Sequence, residues 1–391
     1  IASIFYRGYI MIEAILSGLH GLGEGFANLE WYNVVMIAVG CGLLALAIRK
    51  EVEPLLLVPI GFGAILANIP LAGLMESGGF LKTIYDAGVA TELFPLLIFI
   101  GIGAMTDFGP LLENPRILLL GAAGQFGIFI TIILALACGF GKVDATSIGI
   151  IGACDGPTAI FFASRYSPDL LAAISVAAYS YMALVPVIQP PIMRLLTSKR
   201  ERAINMTPTK NARPISKSVR IAFPIVVTVF GGLIAPLGLP LLGTIMLGNL
   251  MRESGVVERL VKVSEDEIAS GVTLLLGLAV GATMDGARFL KAETLMILGF
   301  GFLAICADTV CGVLLGKLMC WLSRGKVNPL IGAAGISAYP MAARVVQSEG
   351  LKYNNQNFLL MHAVGANTGG QIGSVMAAAI MMSILKGMGI I

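Results

Sequence analysis

Along this chain the hydrophobic positions come in long unbroken runs and do not alternate with polar ones. Apolar stretches cover 31–50, 54–74, 116–140, 168–196 and 357–385. Each approaches the roughly 20 residues that carry a helix across a bilayer. The two-residue alternation of a membrane barrel is absent. Residues 1–30 are shorter and mixed in pattern, and they read as an interfacial segment. The polar positions gather in one long stretch, "TSKRERAINMTPTKNARPISKSVR" (197–220), which sets Lys199, Arg200, Arg202, Lys210, Arg213, Lys217 and Arg220 against Glu201. The positive-inside rule makes this linker cytoplasmic, so its basic charge calls for no nucleic-acid partner.

Composition sharpens that picture. Of the 391 residues, 57% are hydrophobic and 13% charged, and the mean hydropathy is +0.88. So little polar surface cannot wrap a soluble core of this size, so the chain reads as a polytopic helical membrane protein bathed in lipid. The six cysteines lie in apolar segments without C-x-x-C spacing and read as small buried hydrophobes. His20 and His362 stand apart from each other and from carboxylate clusters, which argues against a transition-metal site.

The chain also repeats itself across the linker, at a separation of about 180 residues. "PIGFGAILAN" (59–68) faces "PLLGTIMLGN" (240–249), and "MESGG" (75–79) faces "RESGV" (252–256). "GAMTDF" (103–108) faces "GATMDG" (281–286), with Asp107 and Asp285 in register. "GACDGPTA" (152–159) faces "GISAYPMA" (335–342), which aligns Gly152 with Gly335 and Pro157 with Pro340. Each half therefore ends in a Gly/Pro-interrupted apolar segment, 146–165 or 327–346, followed by one long helix. Such segments cannot be continuous helices, and their freed backbone groups need partners inside the protein or in a water-filled cavity. If each re-enters on its own face, the linker falls on the same side as Arg49, Lys50 and Arg116. The expected fold is all-α: two inverted repeats of about five spanning helices, each with a broken re-entrant segment. The expected divisions are the segment 1–30, a first repeat 31–196, a linker 197–217 and a second repeat 218–391.

One acid stands inside the first break. Asp155, in "IIGACDGPTAIFFAS" (150–164), has no lysine or arginine within a helical turn. An intramembrane aspartate costs about 2.5–3.5 kcal/mol on insertion scales and marks a partner or an ion pathway. Its partner would be a cation or a proton, unless it serves only to cap a half-helix. Sodium prefers oxygen, which Asn328, Ser337, Asn367 and the freed carbonyls near Gly152, Gly335 and Pro340 supply. Arg344, a few residues past Pro340, suits a carboxylate-bearing substrate or lipid phosphate. Tyr181 offers either a proton-carrying phenol or plain packing. Asp107 and Asp285 read as turn or cap residues, and Asp308 as an intramembrane acid without an evident partner. The residues alone lead to a sodium-coupled secondary transporter or a sodium/proton antiporter of inverted-repeat fold. A purely structural scaffold leaves Asp155 unexplained.

From about residue 33 onward the chain resembles the membrane β subunit of the sodium-pumping biotin-dependent decarboxylases, which act on oxaloacetate, methylmalonyl-CoA, glutaconyl-CoA or malonate. The resemblance rests on "EPLLLVPIGFGAILANIP", "GAMTDFGPLLENPRILLLGAAGQFGIF", "IGIIGACDGPTAI", "VAAYSYMALVPVIQPPIM", "GNLMRESGVVERL", "NPLIGAAGISAYPMAARV" and "NFLLMHAVGANTGGQIGS". It implies an enzyme and pump in one chain of the bacterial cytoplasmic membrane. Carboxybiotin, made by a carboxyltransferase α subunit and presented on a separate biotin carrier protein, would be decarboxylated while Na+ moves outward. It further implies a homotrimer of β subunits, a small membrane γ/δ subunit, and a core domain moving against a scaffold. Asp155, Ser337 and Asn367 then match sodium-site positions, Tyr181 a proton-handling position and Arg344 a carboxybiotin position, with Asn328 and Gly332 in the same binding motif. Oxaloacetate members can carry a long insert after the second segment; "MESGGFLKTIYDAGVATELFP" is short, which leans toward an acyl-CoA decarboxylase.

Overall fold

A computed structural model describes residues 23–50, 54–206 and 215–391. Most of the expected interfacial segment and the middle of the basic linker lie outside the described residues. Among these the secondary structure is helical throughout, with no strand. The first half holds α1 (Trp31–Lys50), α2 (Pro54–Ala67), α3 (Leu93–Met105), α4 (Leu118–Ala123), α5 (Phe126–Ala137), α6 (Lys142–Gly149), α7 (Gly156–Tyr166) and α8 (Leu171–Leu196). The second holds α9 (Lys217–Ile234), α10 (Leu239–Ser254), α11 (Ala269–Ala282), α12 (Ala292–Leu322), α13 (Met341–Leu351) and α14 (Leu360–Gly387).

Five stretches are long and apolar enough to cross a membrane: Trp31–Arg49, Pro115–Ala137, Lys217–Ile234, Ala292–Leu322 and Leu360–Gly387. Two bent pairs bring the count to seven. One joins Phe80–Val89 to α3 at 60°; the other bends α8 by 59° between Met182 and Leu184. Pro186 lies just past that second bend, where its ring opposes the carbonyl four residues back. The chain is a polytopic membrane protein. Exposed Val229, Phe230 and Leu233 give α9 an apolar outer face suited to lipid.

Two expected runs differ from the observed helices. The run 54–74 stops being helical at Ala67. The run 116–140 is split between α4 and α5, where Gln125 turns its side chain inward and Gly124 passes against the backbone of Gly335. A side-chain carbon on Gly124 would stand 2.3 Å from the Gly335 carbonyl, so close passage here requires glycine. The cysteine expectation also needs correction. Cys154 and Cys320 are buried, but Cys41 and Cys138 are exposed, because an apolar thiol is as compatible with a lipid-facing surface as with a core.

The halves pack helix on helix where they meet. α2 packs on α11, and α3 packs on α10. Asn68, just past α2, donates Nδ2 to the carbonyl of Met284 at 2.8 Å, while Asn249 of α10 donates Nδ2 to the carbonyl of Thr106 at 3.0 Å. Each asparagine thus holds the carbonyl just before the other half's twinned aspartate. Asp107 and Asp285 themselves close turns, accepting from the amides of Gly109 (2.8 Å) and Ala287 (3.2 Å). A second cluster gathers α4, α8, α12, α13, α14, the second broken segment and Cys154 of the first.

Candidate functional site

The second break lies in this cluster, and the first meets it at Cys154, while Ile150 and Ile151 pack into the larger core. In the first, α6 tightens into a 3-10 turn, Ile150–Ala153, followed by Cys154 in left-handed backbone (φ 53°). Asp155 is extended, and Gly156 and Pro157 open α7. Proline suits that position because its missing N–H is one the helix start leaves unbonded in any case. Asp155 occupies the N-cap. Its carboxylate accepts from Thr158 Oγ1 at 2.6 Å, Ser374 Oγ at 3.0 Å and the Thr158 amide at 3.5 Å. The residue is 3% exposed, and Lys and Arg are absent from these partners. Capping is therefore real, but neutral donors leave the negative charge for a mobile cation or proton to compensate.

The second break starts at Asn328, whose Oδ1 accepts from the Leu330 amide at 3.0 Å and caps the 3-10 segment Pro329–Gly335. Ile336 is extended, the Tyr339–Pro340 peptide is cis, and α13 follows. Ser337 joins the two breaks directly: its amide donates to the carbonyl of Ala153 at 3.2 Å. Its hydroxyl donates to the Gly370 carbonyl at 2.8 Å, and its own carbonyl accepts from Gln371 Nε2.

α14 supplies the remaining wall. Asn367, Gln371 and Ser374 recur at intervals of four and three, which places them on one helical face. Asn367 Nδ2 donates to the Ile336 carbonyl at 2.6 Å. Asn367 Oδ1, Gln371 Oε1 and Gln125 Oε1 are buried without a hydrogen-bond partner among the described residues. Such orphaned acceptors are uncommon and costly, and a hard, oxygen-preferring cation would satisfy them.

The other expected residues lie around this centre. Arg344 is exposed on α13, its guanidinium free of hydrogen bonds and ion pairs among the described residues, and it lines an open cavity of about 480 Å³ with Gln347, Ser348, Leu351, Lys352 and Leu360. Its helix is anchored by Glu349, which is 1% exposed and accepts from Arg194 Nε at 2.6 Å and Nη2 at 2.8 Å, and from Lys352 at 2.9 Å. The Arg194 fork pulls the Glu349 carboxyl down to about 2, against an opposing push from burial. Tyr181 donates to the Leu298 carbonyl at 2.6 Å and makes no hydrogen bond to Asp155, Ser337 or Asn367. Asn328 spends its Nδ2 on the carbonyls of Arg202 (3.0 Å) and Ile204 (2.9 Å), away from the junction of the breaks. Gly332 faces Gly312 of α12, where a side-chain carbon would stand 1.9 Å from the Gly312 carbonyl. Asp308 is fully buried; one carboxylate oxygen accepts from the Gly127 amide and the other has no partner among the described residues.

Sequence reasoning passed over Thr158, Ser374, Gln371 and Gln125. The face Asn367, Gln371, Ser374 was readable from helical spacing alone. Gln125 was signalled only by being a lone amide in the glycine-spaced apolar run "GAAGQFG".

Two broken segments of a polytopic membrane protein thus meet at a buried, oxygen-lined junction. Residues 32–385 match the family model described as Na+-transporting oxaloacetate decarboxylase beta subunit. The chain is 50% identical over 399 residues to methylmalonyl-CoA decarboxylase subunit beta of Propionigenium modestum, covering 96% of this chain and 100% of that one. It is 50% identical over 364 residues to glutaconyl-CoA decarboxylase subunit beta of Acidaminococcus fermentans (93% and 96% covered), and 45% identical over 438 residues to oxaloacetate decarboxylase beta chain of Klebsiella pneumoniae (96% and 99%). The chain belongs to this family of β subunits of Na+-transporting decarboxylases.

Proposed function

We propose that this chain decarboxylates carboxybiotin and moves Na+ outward, as the membrane β subunit of a biotin-dependent decarboxylase complex. Family membership supports this over a sodium-coupled secondary transporter. The observation that carries the site assignment is the direct Ser337–Ala153 bond between the breaks, with the Asp155 cap and the unpaired Asn367 oxygen beside it. Asp155, Ser337 and Asn367 hold the transported Na+. Arg344, free at the mouth of its cavity, takes the carboxylate of carboxybiotin through its planar fork. The N–C bond of carboxybiotin then breaks, the electron pair stays on the ureido nitrogen, that nitrogen takes a proton, and carbon dioxide leaves. Tyr181 is placed to hand on that proton only after releasing Leu298. Asn328 and Gly332 support this binding by fixing the 3-10 segment against the residues after α8 and against α12.

The partners of this reading are a biotin carrier protein, a carboxyltransferase α subunit, a small membrane γ/δ subunit and two further β copies in a homotrimer. An acyl-CoA donor fits the higher identity to the acyl-CoA relatives, 50% against 44–46% for the oxaloacetate ones. The inverted-repeat arrangement is supported by the reciprocal Asn68 and Asn249 bonds and by the charge distribution. Cysteines at Lys142 and Lys199 should then react with an impermeant thiol reagent from opposite faces; labelling from one face rejects it. For the activity, the assembled complex in sealed vesicles receives carboxybiotinylated carrier without a preset gradient. Sodium uptake in step with carbon dioxide release is expected. Release indifferent to sodium overturns the coupling.

A further inference from the structure

Gln125 sits in the break between α4 and α5, 4% exposed. Its single amide nitrogen has four oxygens around it: the carbonyls of Gly335 and Gly370 at 3.3 Å, of Gly121 at 3.4 Å, and Ser337 Oγ at 3.5 Å. A carboxamide nitrogen has two hydrogens, so two of these four acceptors are always in excess. All four distances exceed the 2.7–3.2 Å of an ordinary N–H···O bond. The nitrogen is therefore shared loosely among more oxygens than it can satisfy, while the oxygen of the same amide, Oε1, has no donor among the described residues.

Oxygens crowd here because backbones touch. The break in α4 leaves the Gly121 carbonyl without the Gln125 amide, which bonds Ala122 instead. Side-chain carbons on Gly335 and Gly370 would stand 2.1 Å and 2.3 Å from the carbonyls of Leu120 and Gly335. Three separate elements are thus brought to aim carbonyls at one point. Convergent carbonyls around a point are what coordinates an unsolvated monovalent cation in other membrane proteins.

We propose that Gln125 is a stand-in for the transported ion: its amide nitrogen fills the oxygen cluster when Na+ is absent. On Na+ binding it yields that position and presents Oε1 as a ligand beside Gly121, Gly335, Gly370 and Ser337. The terminal amide torsion is broad and allows the turn. This rests on the sodium reading of the site above and adds a residue that reports occupancy to α4, α14 and the second break together.

Two substitutions separate this role from simple packing. Gln125→Glu keeps the shape, removes the stand-in hydrogens and adds a charged ligand, so at alkaline pH it should bind Na+ about tenfold more tightly. Gln125→Lys tethers a cation in the cluster and should make the chain behave as occupied without Na+. The readout is the Na+ concentration that half-protects the β chain of the purified complex from trypsin, against K+ at equal ionic strength. We expect a tenfold lower value for Gln125→Glu, and for Gln125→Lys protection that no longer depends on Na+. Protection of the parent by Na+ together with an unchanged or raised value in Gln125→Glu overturns the stand-in alone. A parent that K+ protects equally well overturns the sodium reading and the stand-in with it.

Discussion

The two broken segments occupy matching places in the two halves and carry opposite kinds of polarity. At 150–157 the break holds a full charge, and its own helix supports it: Thr158 gives Asp155 both its hydroxyl and its amide. At 335–340 the break holds no carboxylate and no basic side chain. Ser337 and its neighbouring carbonyls are instead met by amides from elsewhere, Gln125, Asn367 and Gln371. In the proposed site the charge comes from the first half, and neutral oxygens come from both halves. Each break continues into a helix with an exposed arginine, but Arg165 of the first is paired with Glu92, whereas Arg344 of the second has no ion pair among the described residues, which is why the proposed reading gives the anionic substrate to Arg344.

The largest effect should come from removing the charge. Asp155→Asn keeps the shape, and the half-protecting Na+ concentration should rise on the order of 100-fold, the equivalent of about 3 kcal/mol for a lost charged contact. Retention of the parent value would erase the distinction between the breaks.

Next comes Arg344→Lys, which keeps the charge and loses the fork. Turnover of carboxybiotin should fall about 30-fold, near 2 kcal/mol, with Na+ protection held within about twofold. Equal losses in both measurements would mean that Arg344 supports the fold and does not meet the substrate.

Ser337→Ala removes one neutral oxygen and should raise the half-protecting concentration only about tenfold. A shift as large as that of Asp155→Asn would show that coordination, not charge, dominates the pocket.

The smallest effect concerns the anchor of α13. Glu349 is ionised more readily when folded than when unfolded, so its pairing stabilises the protein above the ordinary carboxyl value of 4.5 and that support is lost as pH falls through about 2. Thermal midpoints measured from neutral pH down through this window should fall more steeply for the parent than for Glu349→Gln, whose amide does not titrate. Parallel curves would remove the Arg194–Glu349 pair as the source.

Much of this was legible before any coordinates. Apolar run length gave the membrane class, and the Gly/Pro interruptions located both breaks, because proline and glycine act locally on the backbone they belong to. The repeat placed Asp107 and Asp285 in register, and both close equivalent turns. Less visible was anything set by a neighbour distant in sequence. Nothing near Asp155 in the chain announces Ser374, and nothing near Asn328 shows that its amide is taken up by Arg202 and Ile204. Gln125 lay within a run whose hydropathy spoke only for a span. Its break becomes intelligible only once Gly335 and Gly370 are seen beside it.

That glycine contact sets how the chain tolerates change. Gly124, Gly335 and Gly370 place peptide against peptide, leaving no side chain there to rearrange around an added methyl group. Substituting alanine at Gly335 would separate α4 from the second break, whereas the same change at Gly271 or Gly299 meets nothing within 4 Å. In a saturation mutagenesis screen scored by complex assembly, variants at these three junction glycines should therefore be depleted beyond those at the surface acids, although the three carry no functional group at all.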